Sequence, residues 1–79
     1  MKYYLVTLLI NDKGQDGSTL VKYDVLDNAI VAYHNKLAAF HNASDVRYAV
    51  VEILDEYGRI VKSYTETVIH EENTEAIEG

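Results

Sequence analysis

The chain has 79 residues, is 48% apolar, and carries 13 acids against seven bases for a net charge of −6, with no Cys and no Pro. That is one domain at most, and folding at this size hides only about 60–65% of the surface the unfolded chain exposes. The composition excludes wholesale disorder, and it excludes a disulfide framework, a thiolate metal site and a cysteine nucleophile. No apolar run approaches the roughly 20 residues of a membrane-spanning helix, and the acidity argues against nucleic acid and anionic membranes as partners.

The charge is uneven. Residues 70–79 hold four acids and no Lys or Arg, so the rest of the chain is only −2. This predicts a single domain over 1–69 and an acidic, mobile tail over 70–79.

Lys2 and the apolar run after it imitate a secretion signal. That run is only eight residues long, holds two Tyr and a Thr, and meets no small-residue cleavage site before Asn11-Asp12-Lys13. Residues 3–10 therefore read as a first strand, and the cytoplasm is the expected location. A dense cluster of turn formers, 11–18, follows. Residues 19–25 alternate, with Thr19, Val21, Tyr23 and Val25 on one side and Leu20, Lys22 and Asp24 on the other, as in a half-buried strand.

The period then changes to that of a helix. Asp27 is placed to cap it, and Leu26, Ile30, Tyr33, Leu37 and Phe40 make one apolar stripe. Four Ala between 29 and 39 favour the helix and let it approach a sheet closely. Asn42 is a candidate left-handed stop. Residues 46–54 return to strand character, Asp55-Glu56-Tyr57-Gly58 is a hairpin turn with Gly58 at the positive φ, and 59–68 is the returning strand.

These elements predict an α+β fold, ββαββ. The first and third strands are apolar on both faces and belong in the centre. The second and fourth carry Lys22, Asp24, Lys62 and Glu66 and belong at the edges. Two hairpins and a right-handed crossover give a four-stranded antiparallel sheet, order 2-1-3-4, with the helix on one face.

The other face is the informative feature. An open antiparallel face should read mostly polar. With Tyr4, Val6, Leu8, Ile10, Val21, Tyr23, Ala49, Val51 and Ile53 assigned to the helix side, the open side receives Tyr3, Leu5, Leu9 and Leu20. It also receives Tyr48, Val50, Leu54, Ile60 and Tyr64. Soluble monomers rarely show so large an apolar patch, and Tyr is enriched at interfaces. Tyr3, Leu5, Leu20, Tyr48, Val50 and Tyr64 are the candidate interface residues. Changing Val50 or Leu5 to Asp is expected to break an assembly with less damage to the monomer. The competing explanation is that the tail, or a one-residue slip in register, covers this face.

No residue set points to catalysis. His34 and His41 lie about 10 Å apart along the helix, with Ala38 between, and are too far apart for one metal ion. Read as a calcium loop from Asp12, the 11–18 segment puts Gly14 and Tyr23 where oxygen ligands belong. As a phosphate loop it has no Lys and places Asp16 where phosphate would lie. No Ser sits in a strand-to-helix elbow. The expectation is a non-enzymatic protein–protein interaction domain without cofactor, metal or small-molecule substrate, self-associating as a homodimer through the open apolar sheet face. The alternatives are a small acidic inhibitor or accessory factor, of phage or mobile-element type, binding a larger host protein, and a ligand site at a dimer interface using His34 or His41.

Overall fold

The computed structural model describes residues 1–70. The order is β1 (Tyr3–Asn11), β2 (Asp16–Tyr23), α1 (Leu26–Asn42), β3 (Val46–Asp55) and β4 (Ile60–Ile69). The four strands form one antiparallel sheet in the order β2-β1-β3-β4 with α1 across one face, the architecture the sequence predicts. The segment 71–79, most of the anticipated tail, lies outside the described residues. His70, its first residue, is fastened: its N–H donates to the Arg47 carbonyl at 2.8 Å. Its Nε2–H donates to the Phe40 carbonyl at 2.7 Å, one of the carbonyls that a helix C-terminus leaves without a partner within the helix.

Both hairpins close with the same device. In the first, the Asn11 N–H donates to the Gln15 carbonyl at 2.9 Å and the Gly14 N–H to the Asn11 carbonyl at 3.1 Å. In the second, Asp55, Gly58 and Arg59 make the same two bonds at 2.9 and 3.0 Å. Asn11 Oδ1 accepts from the Lys13 and Gln15 amides, and Asp55 Oδ1 from the Tyr57 and Arg59 amides. Gly14 and Gly58 take φ of 81° and 82°, a left-handed conformation that a Cβ disfavours. The first turn therefore needs only 11–15, and β2 begins at Asp16 rather than Thr19.

The helix begins one residue before Asp27, with Val25 at the cap and no side-chain capping bond; Asp27 sits in the first turn, where the helix dipole favours an acid. Asn42 is not left-handed: the helix ends at Ala43, which is extended with φ −88°. The apolar stripe forms as predicted. Ala29, Tyr33 and Phe40 are buried, with Leu26, Ile30 and Leu37 half-buried beside them.

The sheet contributes Leu5, Ala49, Val51, Ile53 and Val68 to this core, together with Thr7. This corrects the facing assigned to β1. The turn pairs Ile10 with Asp16, so the even residues of β1 share a face with the even residues of β2. The side toward the helix is therefore Tyr3, Leu5, Thr7 and Leu9. Leu5, expected at an interface, is 1% exposed, and Tyr3 packs against the core. Thr7 is accommodated there because its hydroxyl and that of Thr19, directly opposite, hydrogen-bond to each other.

Tyr64 is corrected for a different reason. From the turn, Leu54 pairs with Ile60, but two residues along β3 Glu52 pairs with Thr65. Val61 to Tyr64 thus stand opposite Ile53 alone, a bulge of an odd number of extra residues that reverses the facing of β4. Lys62 within it has φ 51°. Tyr64 consequently turns inward and meets Tyr33 edge to face, ring centroids 5.4 Å apart. The Tyr33 phenol is held above its ordinary pKa, first by burial and then by the charge of Glu66 and by Tyr64.

Candidate functional site

The face opposite α1 is built by side-chain alternation along each strand. β1 supplies Tyr4, Val6, Leu8 and Ile10 across its centre, beside Tyr48, Val50 and Leu54 of β3. β2 adds Leu20, and β4 adds Ile60 and Ile69. Of the six expected interface residues, the structure brings Leu20, Tyr48 and Val50 together here and takes Tyr3, Leu5 and Tyr64 away to the helix side. The even residues of β1 replace them, so the face is as apolar as expected with a different membership.

No described residue covers it. Leu20 is 63% exposed and Leu8 46%. Polar groups keep mainly to the margins: Asp16, Ser18 and Lys22 on β2, Thr65 and Thr67 on β4. Glu52, nearer the centre, accepts a hydrogen bond from Thr65 Oγ1 at 3.2 Å. Toward the first turn, Leu8, Ile10 and Tyr48 line a shallow depression of about 470 Å³ with Asp16 and Ser18 at its rim.

Two further charged groups stand at the end of the sheet where β1 begins. Lys2 Nζ donates to Asp24 Oδ1 at 2.6 Å. That bond, and the attraction behind it, raises the lysine pKa and lowers the aspartate's. Asp55 is held below the usual carboxylate range, chiefly by the Arg59 amide, with the Tyr57 amide and the Arg59 guanidinium adding to it. His34 and His41 are exposed on the outer side of α1, away from this face. Among the described residues no group of three or more His, Cys, Asp or Glu is placed to hold a metal ion. Nor is any helix long and apolar enough to cross a membrane.

Fold and face together define a small α+β domain with one apolar sheet surface that no described residue covers. Comparison with protein-family models, curated proteins and solved structures finds no match to this chain.

Proposed function

We propose that this chain is a non-enzymatic protein–protein interaction domain of the cytoplasm that self-associates through its open sheet face. One observation carries the reading: a continuous apolar surface made by all four strands, led by Tyr4, Val6, Leu8 and Ile10, that the chain's own helix does not reach. Apolar surface left in water at this density favours burial against a partner. From strand spacing and rise the face measures roughly 20 by 25 Å. That is under the ~800 Å² per partner of a standard interface, so the association is expected to be reversible on dilution.

The test is the solution mass by light scattering across a roughly hundredfold concentration range. The wild type is expected to rise above the 9 kDa of one chain as concentration increases. Val50→Asp is expected to have a lower mass at each concentration while keeping its circular dichroism and a cooperative melt. A wild type that stays at monomer mass, or a Val50→Asp chain that associates as tightly, contradicts the reading. Leu5→Asp is the control for facing. It puts a carboxylate into the core and is expected to unfold the chain, because an unpaired buried charge costs several kcal/mol or more.

A further inference from the structure

The two sheet edges differ. β4 is broken by the bulge at Val61–Tyr64, with Lys62 inside it and Lys62 and Glu66 adding charge, the devices that discourage further pairing at an edge. β2 has no bulge, and its charges stand only at its two ends, Asp16 and Lys22. It runs eight residues without Pro and pairs with β1 from Tyr23 to Asp16 without a register break.

The turn shows which of its backbone groups are free. Asn11 and Gln15 are a hydrogen-bonded pair. Antiparallel ladders alternate, so the odd residues of β2 point their N–H and C=O toward β1. Asp16, Ser18, Leu20 and Lys22 point theirs outward. Among the described residues nothing pairs with that outer side. The helix also leaves this strand bare, with Leu20 63% exposed on one face and Val21 42% on the other.

We infer that the outer edge of β2 pairs antiparallel with the β2 of a second copy, about a two-fold axis through Thr19. This is a different surface from the open face and does not depend on it. The charge pattern selects both the occupant and the register. Asp16 and Lys22 stand at opposite ends of the strand, on one face, and neither makes an ion pair within the described residues. With Thr19 opposite Thr19, Asp16 of each copy faces Lys22 of the other, and Ser18 faces Leu20. On the helix side Val21 faces Gly17, which offers no side chain to obstruct it. Sliding by one pair, so that Leu20 faces Leu20, puts Asp16 against Asp24 instead. Like charges directly opposite on a sheet are destabilising. The chosen register joins every outward N–H and C=O from Asp16 to Lys22. It yields an eight-stranded sheet with both helices on one side.

The experiment uses two charge variants, Asp16→Lys and Lys22→Asp, each in the full Val50→Asp chain so that the open face is silent. The Val50→Asp parent is expected to sediment as a concentration-dependent dimer. Either added variant alone sets like charges opposite at both ends and is expected to weaken that dimer on the order of thirtyfold. Their equimolar mixture sets opposite charges at both ends and is expected to recover the dimer as a heterodimer. In the recovered dimer the amides of Ser18, Leu20 and Lys22 gain protection from hydrogen exchange. A mixture no tighter than its components, or a parent monomeric at every concentration, overturns edge pairing and leaves the face reading standing. A parent as massive as wild type with a mixture that recovers keeps edge pairing and removes the face reading.

Discussion

Thr7 shows how one hydroxyl misdirects a reading of the sequence. In residues 3–10 both alternating sets are apolar except for this residue, and a lone polar group argues for the solvent side. The structure buries it because Thr19 stands opposite and the two hydroxyls satisfy each other. The pair is asymmetric, since Thr7 is buried and Thr19 is exposed. Thr19→Val leaves a buried hydroxyl without its partner and is expected to cost about 1–3 kcal/mol in chemical denaturation. Thr7→Val leaves only a solvated hydroxyl, and the double change is expected to be milder than Thr19→Val alone. Equal losses from the two single changes would contradict this account.

At the scale of elements, the hairpin turns carried information that the composition of 11–18 concealed. Asn11-x-x-Gly14 and Asp55-x-x-Gly58 are one motif, and recognising the repetition fixes Asn11–Gln15 as the closing pair. The facing of Leu5 and Tyr3 then follows. The bulge in β4 had no such signal: Lys62 is neither Gly nor Asn, and nothing in RIVKSYTETV marks an odd insertion, so the facing of Tyr64 was not legible. The helix was legible from its apolar stripe and the strand order from the charges on the outer strands; the inward set Ala49, Val51 and Ile53 was assigned as the structure has it although β3 is apolar on both faces. The turns also differ usefully in charge, as an amide in one does the work of a carboxylate in the other. Folded Asp55 binds its proton less tightly than the unfolded chain does. Its contribution is therefore present above the ordinary carboxylate pKa and is lost as pH falls through and below it. Asp55→Asn, which keeps the acceptor as Asn11 does, is expected to fold at neutral pH and lose less stability than wild type on acidification. Asp55→Ala loses both amide bonds at every pH. A steeper acid loss in Asp55→Asn, followed by thermal melts from pH 7 to about pH 3, would contradict this.

For the molecule as a whole, width decides what is covered. A helix is about 10 Å across, and four strands span nearly twice that. α1 therefore cannot close even its own side of the sheet, and Val21 on β2 stays exposed there while the far side has no cover among the described residues. The apolar excess of the open face was legible from composition; its membership was not, because it depends on a register set at the turn. One helix leaves more apolar sheet than the described residues enclose, and the proposed face contact follows from that excess, whereas the proposed edge contact follows from the unpaired backbone of β2.

The central ladder has a consequence for how the chain reaches its fold. Each outer strand meets its partner through a five-residue turn, but β1 and β3 meet across separations of 35 residues, Asn11 to Val46, up to 52, Tyr3 to Asp55. Closing so long a loop costs entropy before any contact rewards it. The rate-limiting step is expected to be the meeting of two preformed hairpins, with the helix arriving as their clasp. Val51→Ala, at the middle of that ladder, is expected to slow folding with a φ value above about 0.5, whereas Tyr64→Ala, at the bulge, mainly speeds unfolding. Stopped-flow chevrons showing the reverse pattern would place the barrier at the edge of the sheet instead of at its centre.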